Sequence, residues 1–157
     1  MAIVLTPKLR ELLSKFNFFW ITTRNEARCE MTRVFGYELN EETSVIRVIV
    51  LKEDASRVLH CFANHTKKAA MVFSDGLTFE SIQIKGEFIA AADSTAEEIS
   101  LVTGEFSDRA SKVFVAFGLG EDYWKANVKN IPALTIQVHC FEVYNQTPAL
   151  NTGNKIC

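Results

Sequence analysis

The sequence predicts a mainly β domain with α-helices: six antiparallel strands closed into a barrel, with peripheral helices around it. Three observations point there. Several segments rich in β-branched and aromatic residues alternate apolar and polar side chains. Some of these segments are too long to lie flat with one side bare, and closing the sheet removes its exposed edges. The early strands follow one another through turns, without the βαβ alternation of a dinucleotide-binding sheet.

Thr6-Pro7 opens a first helix, with Thr as N-cap and Pro at the first helical position. Leu9, Leu12, Leu13 and Phe16 then form one apolar stripe, and Asn17 stops it. FFWITT at 18–23 is rich in strand formers. ARCEMTRVFGYEL at 27–39 alternates, with Ala27, Cys29, Met31, Phe35, Tyr37 and Leu39 on one face and Arg28, Glu30, Thr32 and Glu38 on the other. VIRVIVL at 45–51 is the third strand, and a short helix over 54–63 ends at Asn64. KKAAMVFS at 67–74 turns at Asp75-Gly76 into a long strand at 77–92. Ser94 to Glu97 fits a capping box before a helix carrying Ile99, Val102, Phe106, Ala110, Val113 and Phe117, which Gly118 and Gly120 end. EDYWKANV adds a helical turn or two, and Pro132 precedes a sixth strand at 133–144.

The chain of 157 residues suits a single domain, 1–157, with its core at about 7–144 and a loose tail at 146–157. A net charge of -2 supplies no basic field for nucleic acid. No apolar run approaches the ~20 residues of a membrane helix, so no membrane partner is expected. MAIVLTPKLRELL lacks the basic start and small-residue cleavage site of a signal peptide. Cys29, Cys61, Cys140 and Cys157 are far apart, with no CxxC pair, which favours reduced thiols in a cytoplasmic protein over a disulfide framework or a zinc site.

Few residues suggest chemistry by themselves. Arg33 falls, by strict alternation, between Met31 and Phe35 on an apolar face. Either Gly36 marks a bulge that shifts the phase and exposes Arg33, or the arginine is held at an interface for a phosphate or carboxylate. Arg47 stands in line with Val45, Ile49 and Leu51, which suits a barrel exterior or a dimer seam. Ser56-Arg57 opens the short helix, where free N–H groups favour an anion. On the fifth strand Ile82, Ile84, Gly86, Phe88 and Ala90 share one face, and Ser81, Gln83, Lys85 and Glu87 the other. Gly86 keeps the phase, so it permits close approach of another backbone or a ligand. No G-x-S-x-G, H-E-x-x-H, P-loop or G-x-G-x-x-G occurs, and His60, His65 and His139 lack metal-ligand spacing.

Taken in order, T-R-V-F-G, V-L-K, S-R, M-V-F-S and S-I-Q-I-K-G-E-F resemble the FMN-binding split-barrel family, the pyridoxamine 5′-phosphate oxidase-like proteins. The resemblance runs over about 7–144 and rests on the ordered set of motifs. It implies a homodimer of six-stranded split barrels with FMN at the interface. It implies that Arg33, Val34, Phe35 and Gly36 lie along the flavin and that Leu51 and Lys52 form the next contact. Ser56 and Arg57 would hold the phosphate, and Ser81 and Gln83 would stand on the strand that ends at Gly86. Departures set the chain apart from the oxidase itself: Val58 follows Ser-Arg where the oxidase has Lys, Ser81 stands at its glutamine, Glu38 replaces its substrate lysine, and its C-terminal substrate motif is absent. The resemblance is closer to small flavin-binding proteins of the general-stress type. The expectation is therefore a flavin-dependent oxidoreductase acting on a small molecule, with catalytic residues undefined. A non-catalytic flavin binder, a barrel holding haem or a deazaflavin, and a decayed site kept as an interaction module remain alternatives.

Overall fold

The computed structural model describes residues 6–128 and 132–156. Helix α1 (Pro7–Lys15) leads into β1 (Phe18–Arg24), β2 (Cys29–Asn40) and β3 (Val45–Leu51). Helix α2 (Ser56–Asn64) precedes β4 (Lys68–Ser74) and β5 (Ser81–Asp93). A helical layer follows, α3 (Ala96–Leu101), a π-helical turn (Val102–Phe106), α4 (Ser107–Ala116) and α5 (Asp122–Asn127), before β6 (Ala133–Asn145). The strands close in the order β1-β2-β3-β6-β5-β4, every pair antiparallel.

The barrel is filled by its inward-facing residues, among them Ile21, Ile46, Met71, Phe73, Ile84, Ile136 and Val143, all fully buried. Both end helices complete this core. Thr6 accepts from the N–H of Leu9 and Pro7 sits in the first turn, so α1 starts where the sequence places it and buries Leu9 and Leu13. Tyr37 donates its hydroxyl to the Leu13 carbonyl at 2.8 Å. Helix α2 lies against the other end, burying Val58, Cys61 and Phe62. Phe62 stacks on Phe88 with ring centroids 4.6 Å apart.

The helical layer packs on the outside of the wall. Ile49, Val102, Ala110, Trp124 and Val128 form a second apolar cluster with Phe18, Phe35 and Phe114. Its first turn is fastened by charge. Glu98 is buried, accepts from the Thr95 N–H and the Thr135 hydroxyl, and meets the Arg47 guanidinium at 2.5 Å. Arg47 is thus an exterior residue, and Thr95 with Glu98 forms the capping box one residue later than the Ser94–Glu97 pattern suggests. The π turn keeps both Val102 and Phe106 against the barrel.

Four expectations need correction. Strict alternation groups Cys29, Met31 and Arg33 with Tyr37 and Leu39, but a register shift between Val34 and Gly36 divides β2. Before it, Glu30, Thr32 and Val34 point inward and Cys29, Met31 and Arg33 outward; beyond it, Tyr37 takes the buried side. One extra residue reverses the facing of everything on one side of it. The Asp75-Gly76 turn is wider than a two-residue hairpin. Asp75 N–H bonds the Glu80 carbonyl and β5 begins at Ser81, so Leu77 to Glu80 belong to the loop. The tail is held in place: its Ile156 N–H bonds the Val143 carbonyl, Asn145 N–H bonds the Asn154 carbonyl, and Lys155 pairs with Glu142 at 3.1 Å. It covers the part of β6 that β3 leaves unpaired. Gly86 permits the close approach its position suggests, but pairing with β6 shifts register between Lys85 and Gly86 and again between Phe88 and Ala90, so Ala90 is exposed and leaves the face of Ile82 and Ile84. A Cβ on Gly86 would collide with the His139 carbonyl oxygen, so only glycine lets β6 come this close.

Candidate functional site on the outer sheet face

Strand register assembles a surface from residues remote in sequence. On the outer face, Arg33 lies beside Trp20, Trp20 beside Val72, Val72 beside Gln83 and Gln83 beside Tyr144. The adjoining row is Met31, Thr22, Ala70, Lys85 and Glu142. Trp20, Val72, Ala70 and Gln83 are half-buried in the single chain, and Met31 is exposed.

The second row floors an open hollow of about 670 Å³ rimmed by Arg24, Lys68 and Lys85. Arg24 and Lys68 form no ion pair among the described residues. The Lys85 ammonium lies 4.2 Å from the centre of the Tyr144 ring, a cation–π contact, and stands opposite Glu142 across β5 and β6. Glu142, the acid on this rim, is bound to Tyr144 and Lys155, and those hydrogen bonds hold its carboxyl below the ordinary value.

The hollow continues around the end of the β1–β2 hairpin. A cleft at Arg24, Asn25, His65 and Lys68 joins it to a cavity of about 360 Å³ at the start of α2, where Ser56, Arg57, Arg28 and His60 meet. The N-cap of α2 is Ala55, which offers no capping side chain. Among the described residues nothing caps this turn, so its first N–H groups, the Ser56 hydroxyl and the Arg57 guanidinium can meet an anion. Glu30, buried at the barrel end, pairs with Arg28 at 2.5 Å and leaves Arg57 unpaired among the described residues.

The residues named from sequence divide into two groups. Gln83 and Ser56-Arg57 lie along this furrow, Arg33 extends the Gln83 row, and Ser81 stands on the same face with its N–H bonded to the Thr147 hydroxyl. The others are drawn away. Val34 points into the barrel. Phe35 stacks on Trp124, ring centres 5.7 Å apart, and Leu51 lies in the same crevice under Val102 and Ile99. A Cβ on Gly36 would be 2.8 Å from the Phe106 ring, so the space beside this glycine is filled by the chain's own π turn. Lys52 is joined to Asp93 at 2.8 Å. Arg33 itself rests among aromatic faces, its guanidinium carbon 4.8 Å from the Trp124 ring centre and 6.0 Å from that of Trp20. Burial lowers its pKa from the ordinary arginine value.

Sequence reasoning missed Trp20, Thr22, Arg24 and Lys68. Their outward alternation on β1 and β4 was legible; which strand each faced required the register.

No protein-family model matches the chain, and no curated protein does. Solved structures do. A Clostridium acetobutylicum protein related to general stress protein 26, of the pyridoxine phosphate oxidase family, superposes with a TM-score of 0.53 and 10% identity, over 95% of this chain and 92% of that one. HupZ of Group A Streptococcus gives 0.53 and 13%, over 94% and 98%. A pyridoxamine 5′-phosphate oxidase-related, FMN-binding protein of Nostoc punctiforme gives 0.50 and 13%, over 92% and 86%. The fold is the split barrel of the pyridoxamine 5′-phosphate oxidase-like proteins. Identities this low carry the split barrel and no residue roles. Among the described residues no helix is long and apolar enough to cross a membrane, and no cluster of His, Cys, Asp and Glu is arranged to hold a metal ion.

Proposed function

We propose that this split barrel binds FMN along the outer face of β1, β4 and β5 and serves a flavin-dependent oxidoreductase whose substrate is a small molecule. The observation that carries the reading is the furrow joining Gln83 to Ser56-Arg57. It offers cationic and N–H donors at one end and, at the other, a half-apolar wall with an amide side chain. Such a site suits a ligand with a phosphate at one end and a flat ring at the other. Arg57, Ser56 and the first turn of α2 would take the phosphate. Gln83 would hydrogen-bond the ring edge, with Trp20 and Val72 as its apolar floor. Arg33 extends that wall as a positive charge. Phe35, Gly36 and Leu51 take no direct part in this arrangement, because the helical layer covers them.

When bound, the flavin supplies the redox chemistry, and the chain binds, orients and shields it. The half-buried Trp20 and Val72 beside exposed Met31 favour a second copy of the chain closing over the ring as a homodimer. Reduced Cys29, Cys61 and Cys140 fit a cytoplasmic setting.

The absorption spectrum of the purified protein, followed by FMN titration, tests the proposal. Paired flavin bands and saturable uptake are expected, and a colourless protein that takes up no FMN would sink it. NADH or NADPH oxidation then separates an enzyme from a non-catalytic flavin binder. A second reading, haem in place of flavin, draws on His60 and His65, whose rings lie 5.9 Å apart beside the furrow. A Soret band in the same spectrum would select it.

A further inference from the structure

A second surface lies away from the furrow, where the β4–β5 loop meets the end of α4. Leu77 and Phe79 on the loop, and Val115, Phe117, Leu119 and Tyr123 around the α4–α5 junction, are all exposed, Phe79 to 68% and Phe117 to 66%. They share one bed. The Cβ position of Gly76 faces both Phe18 and Val113 within 3.0 Å, closely enough that loop and helix touch. Phe114 lies edge-on to Phe18 at 5.9 Å and beside Tyr123 at 5.2 Å.

The backbone holds these side chains out at a cost. Phe79 has a φ of 61°, a conformation that bulky side chains rarely adopt. Gly118, at φ 81°, turns the chain so that the Leu119 N–H bonds back to the Phe114 carbonyl. Exposed apolar side chains gathered on two elements that touch mark an interaction site more often than single scattered ones do. Its fringe is acidic: Glu80, Glu121 and Asp122 form no ion pair among the described residues. Against them stand Lys112 and Lys125, the latter committed to Asp108 at 2.9 Å.

We propose that this end of the barrel docks a basic amphipathic helix of another protein, apolar side chains on Phe79 and Phe117 and lysines or arginines against Glu80, Glu121 and Asp122. The charge argues for that occupant. A second copy would bring the same acids onto themselves across a two-fold axis, and an anionic lipid surface would be repelled. An amphipathic helix presents apolar anchors at i, i+3, i+4 and i+7 with charged residues beside them, the complement of exposed apolar side chains with an acidic fringe. The inference is independent of the flavin reading.

The probe is a fluorescein-labelled helical peptide of leucine and lysine with that spacing, compared by anisotropy with its leucine–glutamate counterpart. The lysine peptide is expected to bind, more weakly as salt rises, and the glutamate peptide not to bind. Phe79→Ser with Phe117→Ser should weaken binding at least about tenfold. Glu121→Lys with Asp122→Lys, a surface pair that leaves the apolar bed intact, should also weaken it about tenfold or more. Equal binding of both peptides, no binding, or affinities unmoved by either variant would overturn the proposal. So would self-association by sedimentation equilibrium that the Phe79→Ser/Phe117→Ser variant abolishes, since the occupant would then be a second copy.

Discussion

Arg33 and Gln83 stand in one row across the outside of the barrel, with Trp20 and Val72 between them. Neighbouring strands are ~4.8 Å apart, so three steps span roughly 14 Å, the scale of a flat ring with its side chain. The first prediction follows. Arg57→Ala should weaken FMN binding by ~1.5–3 kcal/mol through loss of a charged hydrogen bond, and Gln83→Ala by ~0.5–1.5 kcal/mol through loss of a neutral one. Titration by flavin fluorescence measures both, and affinities unchanged in both variants would remove the furrow from the site.

Gly36→Ala should destabilise the fold by ~1–3 kcal/mol, because the added methyl meets the buried Phe106 ring and the Val102 side chain. Gly104, in the same helical layer, has nothing within 4 Å of its Cβ position. Gly104→Ala should therefore be neutral or stabilise by up to about 1 kcal/mol. Urea unfolding of the two variants side by side is the check.

Removing the Glu98 carboxylate strips the Thr95 cap and the Thr135 hydroxyl of an acceptor and deprives Arg47 of its closest partner. Glu98→Ala should cost about 2–3 kcal/mol, less than a fully buried pair because Arg47 is partly solvated. Glu38 lies 3.6 Å from Arg47 at the surface, and Glu38→Ala should cost no more than ~0.5 kcal/mol. Equal losses in the two variants would contradict this assignment.

Burial pushes the Cys140 thiol up to about 12. At mildly alkaline pH it carries almost no thiolate, the reactive form. In a Cys29→Ser/Cys61→Ser/Cys157→Ser background, Ellman's reagent should report no fast thiol until the protein is unfolded. Cys29 is exposed and should react first in the wild type, while Cys157 lies outside the described residues.

The tail contact should weaken in acid. Hydrogen bonds from Lys155 and Tyr144 lower the Glu142 pKa in the folded protein. A depressed carboxyl stabilises above its unfolded value, and the effect is lost as pH falls through the folded one. In Lys155→Ala the Glu142 carboxyl should titrate at higher pH, as a carbon-13 NMR titration would read, and amide exchange at Asn154 and Ile156 should quicken. A Glu142 titration unmoved by the substitution would exclude the pairing.

Much of the architecture could be read from local pattern. Thr6-Pro7, the six apolar segments and the Gly118 helix end each act through neighbours a few residues away, and each appears in the structure near its expected place. What escaped depends on distant partners. The glycine of T-R-V-F-G offers a bulge as one of two readings, and only the pairing of β2 with β3 decides for it and puts Arg33 outside. Phe117 continues an apolar helical stripe in sequence, yet α4 stops at Ala116 and leaves it in solvent. Of the site, single residues such as Arg57 and Gln83 were legible. The furrow joining them was not, because it is made by the register of β1 against β4 and β4 against β5.

The shift in β2 also bears on how this chain can vary through descent. With one residue removed near Phe35 and the far half of the strand held in place, Arg33 and Met31 would turn into the barrel and Thr32 and Val34 out of it. Substitutions here are absorbed one side chain at a time, whereas a single-codon deletion inverts a whole half-strand. Relatives that keep this outer face should therefore keep the spacing from Arg33 to Tyr37 more faithfully than they keep the identities in between.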